Sequence, residues 1–65
     1  MWMVVHMAKS QAAAKRIRDC LAEEGLMVRM RPVYRTVSSA ENYFEIQVIE
    51  SESREAHDIL LEKGL

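Results

Sequence analysis

Three arginines lie close together near the middle of the chain: Arg29, Arg31 and Arg35. Guanidinium groups bind phosphate or carboxylate, and they do so bidentately where they converge. Tyr43 follows them as a nearby aromatic side chain. Two interpretations fit this spacing. Either these residues bind a small anionic ligand or a partner, or the arginines pair across a hairpin with Glu45 and its neighbours, which stabilises a sheet only weakly.

The other chemically versatile side chains predict structural roles. Cys20 lies on the apolar side of a predicted helix, as small core cysteines usually do. His6 and His57 have no patterned third ligand, so no metal site is expected. The glycines, Gly25 and Gly64, are placed to stop helices and not to cradle a phosphate. No nucleophile with a base, and no carboxylate pair, is apparent, so we expect a protein that is not an enzyme and uses no cofactor.

Length and charge restrict the function further. A chain of 65 residues is one small domain, residues 1–65. Residues 1–37 carry seven basic and three acidic side chains, whereas residues 38–65 carry two and seven. The net charge of −1 does not indicate a general nucleic-acid or membrane binder. No apolar run is long enough to cross a bilayer, and a single cysteine fits a reducing compartment, so the sequence predicts a cytosolic protein.

The first half of the chain reads as a strand followed by a helix. Trp2–Met7 is apolar, β-branched and without helical period, which favours a strand. Ser10 is a suitable N-cap for a helix over Gln11–Glu24, and Gly25 ends it. The predicted apolar stripe of this helix consists of Ala13, Ile17, Cys20 and Leu21, with Ala14 at its margin.

The second half predicts a hairpin and another helix. Alternation over Leu26–Arg31 indicates a strand that Pro32 interrupts, and Val33–Val37 continues it after a bulge. The loop Ser38–Asn42 leads to a strand over Tyr43–Glu50. Its inward side chains are Phe44, Ile46 and Val48. Ser51 or Ser53 caps the last helix, whose apolar stripe is Ala56, Ile59 and Leu60.

This order, β-α-β-β-α, predicts an α+β fold in which two helices cover one face of a three-stranded sheet. It corresponds to a ferredoxin-like fragment without the fourth strand. If the first strand pairs with the last, the strand order is 1-3-2 and the first strand lies at an edge. The similar segments Asp19–Leu26 and Asp58–Leu65 reflect either shared helix capping or a degenerate βαβ repeat.

An edge position for the first strand predicts assembly. Trp2, Met3, Val4 and Val5 include no charge and no proline, the usual protections of an edge. Two copies would pair antiparallel into one six-stranded sheet with a two-fold axis. The alternatives are a monomer in which this strand is central, and one in which Trp2 covers its own edge.

A family resemblance accompanies these patterns. Its first part is Met3–Pro32, which contains Val-Val-His-Met-Ala, then a Ser-capped helix, then Leu-Ala-Glu-Glu-Gly-Leu-Met-Val-Arg-Met-Arg-Pro. Its second part is Phe44–Glu50 together with Ala56–Leu60. Over nearly its whole length the chain resembles small bacterial signal-transducing, PII-like domains. Those domains usually have Val-Pro-Glu before the last helix, where this chain has Val48-Ile49-Glu50. The resemblance implies a β-α-β-β-α fold and a regulatory or ligand-sensing role, and it carries over no catalytic residue.

Two functions therefore remain open from the sequence. One is a small cytosolic regulatory module that binds a protein or a small anionic ligand through its open sheet face and edge. The other is an RNA- or nucleotide-binding domain that uses Arg29, Arg31, Arg35 and Tyr43. The second lacks the stacking aromatics that RNA-binding sheets carry on two adjacent strands.

Overall fold

The computed structural model describes all 65 residues, Met1–Leu65, and has the predicted β-α-β-β-α order. Its elements are β1 (Trp2–Ala8), α1 (Gln11–Glu23), β2 (Val28–Pro32), β3 (Phe44–Ile49), a 3₁₀ turn (Glu50–Glu52) and α2 (Ser53–Glu62). The protein is thus a small α+β domain, and neither helix combines the length and apolarity needed to cross a membrane.

The three strands form one antiparallel sheet in the order β1-β3-β2. Met3 faces Val48 across one side of β3, and Arg29 faces Gln47 across the other. The register of β1 shifts between Val4 and His6, so Val5 forms a bulge. The expected order 1-3-2 is confirmed, and β1 lies at an edge of the sheet.

A single hydrophobic core of 11 residues lies on one face of the sheet. The three predicted inward residues of β3 are buried, and so is the predicted stripe of α2. The members that β3 and the helices contribute are Phe44, Ile46, Val48, Ala14, Ile17, Leu21, Ala56, Ile59 and Leu60. Both helices therefore pack on the same face of the sheet. The opposite face, here called the outer face, is not covered by a helix.

Helix α1 begins at the predicted Gln11 and ends at Glu23, one residue before the predicted Glu24, which is the C-cap. The Ser10 hydroxyl oxygen accepts a hydrogen bond from the Ala13 amide at 3.1 Å. Gly25 has φ +88°, a conformation that costs glycine least, and the Leu26 amide donates to the Leu21 carbonyl. Helix α2 ends in the same way, because Gly64 has φ +71° and the Leu65 amide donates to the Leu60 carbonyl. Shared helix capping therefore accounts for the two similar segments.

Two predicted details of the helices are wrong. Ala14, placed at the margin of the α1 stripe, is fully buried, whereas Ala13 and Cys20 are only half-buried. The stripe is rotated because α1 packs mainly on β2 and β3. Neither Ser51 nor Ser53 caps α2; the N-cap residue is Glu52, and it makes no side-chain capping bond.

The Glu52 carboxylate is used elsewhere. It accepts a hydrogen bond from the Met27 amide at 3.0 Å. The 3₁₀ turn Glu50–Glu52 leads directly into α2, so the helix starts without a serine cap. The bond between Glu52 and the Met27 amide connects the start of α2 to the segment that leads into β2.

The segment Val33–Val37 is not the predicted continuation of β2. It belongs to an irregular loop held by Asn42, a residue that is 1% exposed. The Asn42 amide oxygen accepts from the Tyr34 amide at 3.1 Å, and its nitrogen donates to the Tyr34 carbonyl at 2.6 Å and the Val37 carbonyl at 3.3 Å. These bonds replace the strand pairing that the segment would otherwise need.

Candidate ligand-binding site

The predicted arginine cluster lies on the outer face at the β2 edge. Arg29 is opposite Gln47 in the register of β2 and β3, and Arg31 is opposite Glu45. Paired residues of antiparallel strands project to the same face, so these four side chains share the outer face. Arg35 follows in the loop after Pro32.

Arg29 is engaged within the sheet. Its guanidinium carbon lies 4.2 Å from the centre of the Trp2 ring, a cation–π contact that spans the sheet. Its Nε donates to the Gln47 side-chain oxygen at 2.7 Å, and the Gln47 nitrogen donates to the Glu45 carboxylate at 2.9 Å. Gln47 is only 8% exposed. The Arg29 side chain is therefore held against Trp2 and Gln47.

Arg31 and Arg35 line one open concavity of about 510 Å³ together with Pro32, Val33 and Glu45. This surface is the arginine concavity. Both arginine residues are exposed, whereas Glu45 is half-buried. Two basic residues and one acidic residue therefore line the same space.

Neither Arg31 nor Arg35 forms an ion pair. The one ion pair of the chain joins Arg18 and Asp19, with an N–O distance of 3.1 Å. Arg31 is opposite Glu45 in register, yet the hydrogen bond that Glu45 accepts comes from Gln47. Pairing across the hairpin is thus realised for Arg29, which bonds to Gln47, a neighbour of Glu45 on β3. It is not realised for Arg31 or Arg35, whose side chains are available to a ligand.

Tyr43, a predicted site residue, lies outside the arginine concavity, whereas Asn42, which was not predicted, shapes the loop beside it. The Tyr43 residue is 44% exposed but does not line the arginine concavity; its carbonyl accepts from the Val33 amide at 2.9 Å. Asn42, which the sequence placed simply in a turn, shapes the loop that presents Arg35. The available signal was its residue type, since Asn side chains readily bond to nearby backbone in turns.

A second cavity, of about 320 Å³, lies between β1 and α2. The fold brings the two histidines together there, although they are 51 positions apart in the sequence. Its lining consists of His6, His57, Val5, Leu60, Leu61 and Leu65. No group of three or more His, Cys, Asp or Glu lies where it could hold a metal ion.

No family model, curated protein or solved structure gives a match to this chain.

Proposed function

We propose that this chain is a small, non-catalytic binding module that holds a small anionic ligand between Arg31 and Arg35. The observation that carries the proposal is the pair of unpartnered guanidiniums in one concavity. Arginine prefers carboxylate and phosphate oxygens, and bonds between two charged groups are stronger than neutral ones.

The Glu45 carboxylate in the same concavity restricts the ligand. A dense polyanion would meet like charge there, which is unfavourable. A small molecule with one anionic group toward the arginines and a polar or cationic group toward Glu45 satisfies both. Free amino acids and small phosphorylated metabolites have this size and chemistry.

This balance favours a small ligand over RNA, the alternative function. Stacking platforms need aromatic faces open to bases. Arg29 lies over the Trp2 ring, and Tyr43 lies outside the arginine concavity. The outer face therefore offers no pair of free aromatic rings on adjacent strands.

We further propose that this binding serves a regulatory role in the bacterial cytosol. Its support is the resemblance to PII-like signal-transducing domains together with the strand order, which suits a ferredoxin-like sheet lacking a fourth strand. Binding of a small ligand, without turnover, is what such a sensing module requires.

The test is an NMR titration of ¹⁵N-labelled protein with inorganic phosphate, glutamate, AMP and a single-stranded RNA, each at low and high salt. We expect amide shifts at residues 31–35 and 45 with one of the small anions. Arg31→Gln and Arg35→Gln should each weaken that binding about tenfold, the equivalent of one charged hydrogen bond.

The matched control is Arg16→Gln, which removes the same charge from an exposed position on α1. It should leave the affinity unchanged. Equal weakening by all three variants, or the absence of shifts in the arginine concavity with every small anion, contradicts the proposal. Tight RNA binding that falls steeply with salt would instead establish the alternative.

A further inference from the structure

The free edge of β1 presents unpaired backbone groups. The Met1 carbonyl accepts from the Glu50 amide at 2.8 Å, so the backbone groups of Met1 point toward β3. Successive residues of a strand direct these groups to opposite sides. Trp2 and Val4 therefore direct their N–H and C=O groups away from the sheet, where residues 1–65 place no other strand.

The side chains at this edge are uncharged and exposed. Trp2, Met3 and Val4 are 36%, 39% and 46% exposed. Trp2 is opposite Ile49 and Val4 is opposite Gln47, so both belong to the outer face, whereas Met3 points to the helix side. The bulge at Val5 ends this regular segment, whose middle residue is Met3.

We propose that a second copy of this chain pairs antiparallel with β1, with the two-fold axis at Met3. Trp2 then forms a hydrogen-bonded pair with the partner's Val4, and Val4 forms one with the partner's Trp2. Met3 faces the partner's Met3 across the axis as a pair without backbone bonds. The two sheets join into one of six strands.

Charge favours a second copy as the occupant of this edge. Antiparallel self-pairing places residues of one strand against each other, and Trp2–Val5 contains no charge that would be repelled. Self-pairing through β2 would instead bring Arg29 and Arg31 against the arginines of the copy. Pairing of β1 would also join Trp2 and Val4 of both copies into one apolar cluster on the outer face. It would therefore give the unpaired backbone groups hydrogen-bond partners and shield the exposed side chains from water.

Cysteine cross-linking tests the register. In a Cys20→Ser background, Met3→Cys should form a disulfide-linked dimer under mild oxidation, because paired residues without backbone bonds have Cα atoms about 4.5 Å apart. Lys9→Cys in the same background lies beyond β1 and should stay monomeric. Equal cross-linking of both variants, or none with Met3→Cys, contradicts this register.

Analytical ultracentrifugation tests the edge itself. The wild type should approach twice the chain mass of 7.5 kDa as its concentration rises. Val4→Lys should sediment as a monomer with an unchanged circular dichroism spectrum, while Met27→Lys, at a 60% exposed position beside β2, should remain dimeric. A wild-type monomer at high concentration, a monomeric Met27→Lys, or open-ended assemblies would each overturn the proposal.

Discussion

The two edges of the sheet are built differently. On β2, Arg29 and Arg31 place charge along the strand, and Pro32 removes a backbone donor at its end. On β1, Trp2–Val5 has neither protection. Charged edges and prolines discourage strand pairing, whereas an apolar edge is a template for it. The proposed ligand binding thus lies on the β2 side and the proposed self-association on the β1 side.

The central strand supports both edges, so breaking it should have the largest effect. Phe44→Asp places an unpaired charge at a position that is 4% exposed. Such burial costs several kcal/mol, comparable to the whole stability of a small domain. We expect an unfolded chain by circular dichroism, and the same result for Ile17→Asp on the α1 side of the core.

The control for these variants is Ser39→Asp, which introduces the same charge in the exposed loop. It should melt cooperatively near the wild-type temperature. A folded Phe44→Asp with an equally high melting temperature would show that the assigned core face of β3 is wrong.

The loop that presents Arg35 depends on Asn42, and Asn42→Ala should have the next largest effect. It leaves the Tyr34 and Val37 backbone groups without their partner. We expect a loss of about 1 to 3 kcal/mol in the free energy of unfolding, with weaker ligand binding on the β2 side and unchanged dimerisation on the β1 side.

Chemical denaturation and the titration described above measure these two effects. Asn42→Asp keeps an acceptor for the Tyr34 amide but sets a buried carboxylate against the Tyr34 and Val37 carbonyls, so its stability should fall at least as far as that of the alanine variant. An Asn42→Ala protein as stable as the wild type would exclude this role in the loop.

Substitution of the glycine between α1 and β2 should destabilise the fold more than substitution of the matching glycine after α2. Gly25→Val should cost about 1 kcal/mol or more, since a β-branched residue resists positive φ. Open space surrounds both glycines, so this cost is conformational and not a clash. Gly64→Val should cost less because Leu65, which follows it, is exposed, whereas Leu26, which follows Gly25, is buried in the core.

Denaturant midpoints of the two variants give the comparison directly. A neutral Gly25→Val would mean that α1 runs on past residue 25. The start of β2 would then be misplaced, and with it the arginines of the outer face.

The smallest effects on folding should come from substitutions on the two proposed binding surfaces themselves. Arg31→Gln and Val4→Lys change exposed residues at opposite edges. Each should alter the free energy of unfolding by less than about 0.5 kcal/mol, measured at concentrations where the chain is monomeric. A much larger loss in either variant would mean that its edge serves the fold and not binding.

The helix caps and the buried positions of β3 can be predicted from the sequence. The Ser10 cap and the Gly25 stop depend on neighbours within a few residues, and the alternation at Phe44, Ile46 and Val48 reports burial directly. These features were predicted because the residues that determine them are adjacent along the chain.

Contacts between distant residues account for what the sequence did not reveal. Arg29 lies over Trp2, which is two strands away across the sheet. Glu52 binds the Met27 amide, 25 positions earlier, and starts α2 without a serine cap. Asn42 was read as an ordinary turn residue, because its bonds to the segment after Pro32 require the loop to close first.

The two edges can be compared within one sample by amide hydrogen exchange. Val33 donates to Tyr43 toward β3, so the alternating amides of Val28 and Met30 face outward on β2, as those of Trp2 and Val4 do on β1. If β1 pairs with a second copy, protection of the Trp2 and Val4 amides should rise with protein concentration, while protection of the Val28 and Met30 amides should stay constant. Identical exchange at both edges across all concentrations would contradict this pairing.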